Sequence, residues 1–332
     1  MVYIISEIGI NHNGDIDVAK ALIDVAVKAR TDAVKFQKRV VTESFTRDKL
    51  NEPYLTKNSW GETYGKHKDH LEFSNHEMYE LRKYAEEQKI DFICTGCDKP
   101  SVDFLDTLNM RYFKCASGDV TNLPLLKHVA GKQKPFIIST GMCDLETLQK
   151  VVHELELINT DFAILSCTST YPTPFTDIHL NTIQTYKSRF RNHRIGYSGH
   201  ETGYIPTLGA VAKGATIIER HITLDKNMRG SDHRGSLEPH ELMEMVTAIR
   251  ILEQSMGSPE KRIRASEKPF MEKLTKSYCT TTMIPRGTVI TEDMITTKHP
   301  GTGIIPIRTI IGYRVIDDIP ADTIIMPSDL MK

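Results

Sequence analysis

A chain of 332 residues with 39% hydrophobic and 26% charged side chains has room for one large domain and a small one, each with its own core. Its 42 lysines and arginines nearly cancel 43 aspartates and glutamates, so no broad basic surface points to nucleic acid or a membrane as partner. Any anion it binds must be met by local charge.

The first residues, Met1-Val2-Tyr3-Ile4-Ile5-Ser6-Glu7, lack a basic segment and reach an acid too early for a secretory signal. No apolar run approaches the ~20 residues that span a bilayer. From there to about Met256, apolar strand-like runs alternate with amphipathic helical patterns. Strands are predicted at Tyr3 to Glu7, Ala33 to Gln37, Phe92 to Thr95, Tyr112 to Ala116, Phe136 to Thr140, Phe162 to Cys167, Ile195 to Ser198 and Thr216 to His221. Helices are predicted between them, among them Val18 to Lys28, His76 to Glu87, Leu145 to Leu157 and Pro239 to Met256. About eight such units close a (β/α)8, or TIM, barrel, so the expected fold class is α/β. The connection from Arg39 to Asn75, which holds the only tryptophan, Trp60, is too long for a plain linker and is expected to cover the barrel mouth or carry function.

After Gly257-Ser258-Pro259 the composition turns polar and basic, and residues 259–272 are expected to be a linker between a catalytic domain (1–258) and a small β-rich domain (273–332). The last region repeats itself weakly: Ile284-Pro285-Arg286-Gly287-Thr288-Val289-Ile290 matches Ile319-Pro320-Ala321-Asp322-Thr323-Ile324-Ile325, which predicts a pseudo-symmetric module. Six scattered cysteines, mostly in apolar runs, suit reduced thiols and a cytoplasmic protein. Cys94-Thr95-Gly96-Cys97 has the spacing of a redox or zinc pair, but no second pair follows and the segment ends a strand, so buried thiols are expected there.

In such a barrel, polar residues that end apolar strands face the active site. Here nearly every strand ends that way. Glu7 is followed by Asn11-His12-Asn13-Gly14, Lys35 by Gln37, Thr95 closes the third strand, and Lys114 is followed by Ser117-Gly118-Asp119. Ser139-Thr140-Gly141, Ser169 with Tyr171, Ser198 with His200, and Glu219 with His221 complete the rim. Lys35 and Lys114, with the hydroxyls and amides near Ser117 and Ser139, can pocket a phosphate and a carboxylate. His200 and His221 follow neighbouring strands, so their imidazoles can converge on one divalent metal; the spacing equally allows each to hydrogen-bond within the mouth. Nucleotide-binding glycine loops, zinc-protease HExxH and the GxSxG elbow are all missing.

In combination, Glu7-Ile8-Gly9-Ile10-Asn11-His12-Asn13-Gly14, Val34-Lys35-Phe36-Gln37, Phe113-Lys114-Cys115-Ala116-Ser117-Gly118, Ser139-Thr140-Gly141-Met142, Cys167 to Pro172, Gly196 to His200, Glu219-Arg220-His221 and Ser231-Asp232 resemble the sialic acid synthases over essentially the whole chain. The resemblance implies condensation of phosphoenolpyruvate with N-acetylmannosamine or its 6-phosphate. It also implies manganese or magnesium on His200 and His221, and a C-terminal antifreeze-like (SAF) domain that caps the partner's barrel in a domain-swapped homodimer. It implies Glu7, Glu219, Asp232 and Tyr171 as catalytic groups. Lys35, Gln37, Thr95, Lys114, Ser117, Asp119, Ser139, Ser169, Ser198, His12, His67 and His299 are implied as substrate contacts. The segment Trp60 to Ser74 is similar to animal-type members that use the 6-phosphate, with Lys66, His67 and Lys68 as its expected positive charge. Ser169 stands where many bacterial members have asparagine, and His299 where many have a cap-domain arginine. Synthases of legionaminic or pseudaminic acid, a Schiff-base aldolase and a non-catalytic binding barrel are the alternative readings.

Overall fold

Alternation along short apolar runs decides the architecture. The computed structural model describes residues 1–332. Eight strands pair in parallel in chain order: β1 (Tyr3–Gly9), β2 (Ala33–Lys38), β3 (Asp91–Gly96), β4 (Phe113–Cys115), β5 (Phe136–Ser139), β6 (Phe162–Cys167), β7 (Arg194–Gly199) and β8 (Ile217–His221). β8 closes on β1, giving the α/β barrel.

Side chains on a strand alternate in direction, and the two parities here have different partners. Ile5, Ala33, Ile93, Tyr112, Ile137, Leu165 and Ile217 form a cluster of their own, the packed plug of the barrel. Two residues further along the same strands, with the same parity, stand Glu7, Lys35, Thr95, Lys114, Ser139, Cys167 and Glu219. The opposite parity, including Ile4, Val34, Phe36, Phe92, Phe113, Phe136 and Ile218, joins the large cluster that also contains Leu22, Leu81, Leu126 and Leu148 from the surrounding helices. Each such side chain, fully buried, contributes roughly 1.5–3 kcal/mol. The plug thus lifts a polar layer to the carboxyl end of the barrel.

The helices begin and end on local chemistry. α1 (Ile16–Ala29) starts where Asp15 accepts from the amides of Asp17 and Val18, and stops at Arg30 in the left-handed region. α2 (Asn75–Glu87) opens with a reciprocal Ser74/Glu77 cap. Six more surround the barrel: α3 (Lys99–Asp106), α4 (Leu123–Ala130), α5 (Leu145–Glu156), α6 (Thr182–Arg189), α7 (Ile205–Ala212) and α8 (Pro239–Met256). None is long and apolar enough to cross a membrane. The long connection after β2 carries its own short helices, Val41–Ser44, Arg47–Asn51 and Tyr64–Leu71.

The chain divides into two compact units, Met1–Gly257 and Ser258–Lys332. The stretch 259–272 is not uniformly irregular: a helix forms over Lys268–Leu274 with Pro269 in its first turn, where the missing amide proton does no harm. Past it, the two sequence copies meet as antiparallel partners, the Ile284 amide donating to the Ile319 carbonyl at 2.8 Å and the reverse bond at 2.9 Å. Equivalent positions behave alike. Gly287 and Asp322 both take positive φ, and Ile290 and Ile325 are both fully buried.

Candidate active site

The site grows from the strand register. Glu7 lies opposite Lys35 on β2 and opposite His221 on β8; Thr95 lies opposite Lys114, and Ser198 opposite Glu219. Gly9, with φ +54°, lets the chain turn away directly behind them: a Cβ there would lie 3.1 Å from Glu7 Oε1 and 3.3 Å from His221 Cε1. Asn11 ties the same turn to the other side of the barrel closure by donating to the Ile222 carbonyl and Ser236 Oγ, both at 2.8 Å.

Four charged groups form the centre, all at most 4% exposed: Glu7, Lys35, Lys114 and Glu219. Lys35 Nζ is 2.8 Å from Glu7 Oε2 and 3.7 Å from Glu219 Oε1, while Lys114 Nζ is 3.8 Å from Glu219 Oε2. Two cations and two carboxylates sum to zero, which is how this much charge is kept out of water. Burial, reinforced by the charge of Glu219, pushes the Glu7 carboxyl above its ordinary range against the pull of Lys35 and Gln37. Burial would do the same to Glu219, but Lys114 and Lys35 hold it below the usual value. Burial lowers Lys114, whereas the two carboxylates outweigh burial at Lys35 and raise it.

Hydroxyls and amides complete the surround. Lys35 Nζ donates to Thr95 Oγ1 (3.2 Å), and Lys114 Nζ donates to Ser139 Oγ (2.7 Å) and the Cys115 carbonyl (2.9 Å). Gln37 donates to Glu7 Oε1 (3.0 Å) and Ser198 to Glu219 Oε1 (3.3 Å). The Gly141 amide donates to Ser117 Oγ (3.0 Å), and a Cβ on Gly141 would fall 2.1 Å from Ser169 Oγ, so only glycine lets these hydroxyls approach. These groups line a cavity of about 210 Å³ together with Ser169, Tyr171, His200 and His221.

The two imidazoles stand with ring centres 5.3 Å apart, and the half-exposed Tyr171 packs 4.1 Å from His200 and 5.7 Å from His221. His200 Nδ1 donates to the Thr168 carbonyl at 2.9 Å, which turns Nε2 toward the cavity as a lone-pair donor. Burial opposes charge on His200, but Cys167 and that carbonyl outweigh it and raise its pKa. His221 is pushed down to about 3 by burial, so its ring is neutral, and its buried Nδ1 has no hydrogen-bond partner. Glu219 Oε2, 3.8 Å from Lys114 Nζ, is also buried without a hydrogen bond. Unpartnered polar atoms of this kind gather where a ligand belongs. Two nitrogen donors with open positions beside them suit a divalent metal.

Five expected contacts lie elsewhere. Asp232 is outside the cavity lining, accepting from Ser231 Oγ at 2.6 Å, although its charge reaches Tyr171 and His221. Asp119 accepts from Asn122, and burial raises its pKa. His12 is buried against Phe73 at 4.2 Å and accepts from the Gly14 amide. His67 is buried in the long connection, accepting from the Trp60 amide and packed on Tyr54; burial lowers it to about 4, so it brings no positive charge. Lys66 pairs with Glu62, and Lys68 sits over the Tyr64 ring. His299, in the second unit, is exposed and hydrogen-bonds the Thr275 carbonyl. Arg220, between two rim residues in sequence, has the opposite strand parity and pairs with Glu201 at 2.9 Å, both fully buried on the helix side. Cys94 and Cys97 are free thiols, both raised by burial, Cys97 to about 11.

A ring of buried lysines, carboxylates and imidazoles at the carboxyl end of a closed parallel barrel defines a (β/α)8-barrel enzyme. The chain belongs to the NeuB family, which it matches over residues 22–261, and residues 275–331 match the SAF domain. It is 45% identical to N-acetylneuraminate-9-phosphate synthase of Homo sapiens, over 98% of this chain and 91% of that protein. It is 35% identical to N,N'-diacetyllegionaminic acid synthase of Legionella pneumophila, over 98% and 93%. The crystal structure of an N-acetylneuraminic acid synthetase from Leptospira borgpetersenii superposes with a TM-score of 0.73 at 32% identity, covering 82% of this chain and 90% of that one.

Proposed function

We propose that the protein condenses phosphoenolpyruvate with the open-chain aldehyde of an N-acylated mannosamine, free or 6-phosphorylated, releasing inorganic phosphate and an N-acylneuraminate or its 9-phosphate. The observation that carries this reading is the buried set of Lys35, Lys114, Glu7 and Glu219 with two imidazoles beside it. Lys35 and Lys114, with Ser117 and Ser139, hold the phosphate and carboxylate of phosphoenolpyruvate by charge-assisted bonds in a dry pocket. Gln37, Thr95, Ser169, Tyr171 and Ser198 fill the remaining substrate wall, and Asp232 meets sugar hydroxyls at the mouth.

A manganese or magnesium ion on His200 and His221 supplies Lewis-acid polarisation of the aldehyde oxygen when bound. A bond forms from C3 of phosphoenolpyruvate to the aldehyde carbon. Water oxygen adds at C2, and the C2–O bond to phosphorus breaks. Of the two water protons, one ends on the new sugar hydroxyl and the other leaves with phosphate, so the step balances. Glu219 takes a proton from the attacking water, and Glu7, paired with Lys35 Nζ at 2.8 Å, relays one to the aldehyde oxygen. Free thiols suit a reducing cytoplasmic setting. The assembly is taken to be a homodimer, and residues 1–258 the catalytic domain.

A coupled phosphate-release assay tests the reading. Phosphate is expected only when phosphoenolpyruvate and a mannosamine substrate are both present, with release stopped by a chelator and restored by manganese. No release with either sugar, or release without sugar, contradicts it.

A further inference from the structure

Near the end of β2, Gln37 is held from both sides. Its Nε2 donates to Glu7 Oε1 at 3.0 Å, and its Oε1 accepts from Arg39 Nη2 at 2.6 Å. A guanidinium has donors only, so it dictates which end of the amide it meets: the oxygen turns to Arg39, and the NH2 group is left for the carboxylate. With Lys35 Nζ 2.8 Å from Oε2, each oxygen of Glu7 then faces a partner of its own. Arg39 is itself fixed. Its Nε lies 2.6 Å from Glu72 Oε1 in a pair whose side chains are only 11% and 12% exposed, and its backbone amide donates to Glu72 Oε2 at 3.1 Å. Glu72 closes the helix Tyr64–Leu71 of the long connection after β2. A planar fork spread over two acceptors, almost out of water, has little freedom to turn. Without it, the Gln37 amide is free to turn over and set its oxygen against Glu7, lone pair against lone pair. Arg39 does not line the cavity, whereas Gln37 and Glu7 do, so its reach into the site runs through Gln37.

We infer that Arg39 is a positioning residue: by fixing the Gln37 amide it holds Glu7 in the orientation from which it relays a proton. Through Glu72 it also ties that carboxylate to the long connection, by successive contacts of 2.6, 2.6 and 3.0 Å along Glu72, Arg39, Gln37 and Glu7. The proton relay rests on the condensation reading; the hold of Arg39 on Gln37 is tested apart from it.

Steady-state phosphate release and crystal structures of full-length variants test the assignment. Arg39→Met keeps an apolar stem but donates nothing, and is expected to lower kcat about tenfold while KM for phosphoenolpyruvate and for the sugar stays within about twofold. The same substitution in a Gln37→Ala background should change kcat by less than about twofold, because its route to Glu7 is already gone. Arg39→Lys, a point donor in place of a planar fork, should fall between wild type and Arg39→Met. Arg39→Met alone strands the Glu72 carboxylate and can cost folding; adding Glu72→Gln removes that charge, keeps an acceptor for the backbone amide, and should show the same loss of kcat. In crystals of this double variant Gln37 is expected to leave Glu7 or to occupy two positions. An unchanged kcat, a loss carried by KM, a loss that multiplies in full on the Gln37→Ala background, or a Gln37 still singly placed at 3.0 Å from Glu7 overturns the assignment. If the wild-type protein releases no phosphate with either sugar, the condensation reading fails, and the place of Gln37 in the variant crystals alone decides whether Arg39 positions it.

Discussion

Glu7 Oε2 and Lys35 Nζ meet at 2.8 Å across β1 and β2, in a place almost closed to water. The pair is half of a neutral quartet, and neither charge is tolerable there alone. On the proposed reading, the anionic groups of the substrate would take the place of these carboxylates around two lysines already in position.

Lys35→Met tests the energetic side of that statement. It leaves Glu7 and Glu219 facing each other without their shared cation, and removing one partner from a buried pair costs about 3–5 kcal/mol. Urea unfolding should register a loss of that order together with loss of phosphate release. A variant as stable as wild type means that the quartet is not closed as described.

His12 sets an acid limit on stability. Burial depresses its pKa from 6.5 to about 3 in the folded chain, so below pH 6.5 the unfolded chain binds a proton that the folded chain refuses. The stability contributed by this group is complete above pH 6.5 and falls by about 1.4 kcal/mol per pH unit toward pH 3. His12→Asn should flatten the decline of unfolding free energy between pH 6 and pH 4 by close to one proton. An unchanged slope would mean that the ring titrates freely.

The imidazoles predict metal stoichiometry. His200→Ala and His221→Ala should each lower manganese affinity by more than the roughly 10–100-fold typical of outer-shell changes, because each removes a ligand itself. Metal content after dialysis, measured by mass spectrometry, reads this independently of turnover. Retention at wild-type level in both variants places the ion elsewhere.

Much of this rim is legible in the sequence, because an apolar residue followed two positions later by a polar one, as in Ile5/Glu7, Ile93/Thr95 and Ile217/Glu219, marks the top of a barrel strand. Parity also separates Arg220 from its neighbours Glu219 and His221, a distinction that a contiguous motif hides. Loop residues are harder. His67 sits in a polar, basic stretch that reads as exposed, yet packing against Tyr54, with the Trp60 amide donating to its Nδ1, buries it and removes its charge. Lys57 and Arg234 lie far apart in the chain, in loops without periodicity, and nothing short of the closed barrel brings them to one cavity. The helix over Lys268–Leu274 was hidden by the surrounding charge and the proline that in fact starts it.

Arg220→Met separates framework from chemistry. It leaves the fully buried Glu201 without its cation, with Tyr197 and Thr207 as remaining partners, and should cost about 3–5 kcal/mol. Turnover of the folded fraction should stay near wild type, since the side chain faces away from the cavity. A stable variant with abolished turnover would assign Arg220 to the site.

Diffraction from crystals grown with phosphoenolpyruvate and manganese tests the central claim most directly. The account predicts an anomalous peak between the rings of His200 and His221, with substrate phosphate and carboxylate oxygens at hydrogen-bonding distance from Lys35 Nζ and Lys114 Nζ. A peak remote from both imidazoles, with the lysines still bound only to Glu7 and Glu219, would contradict it.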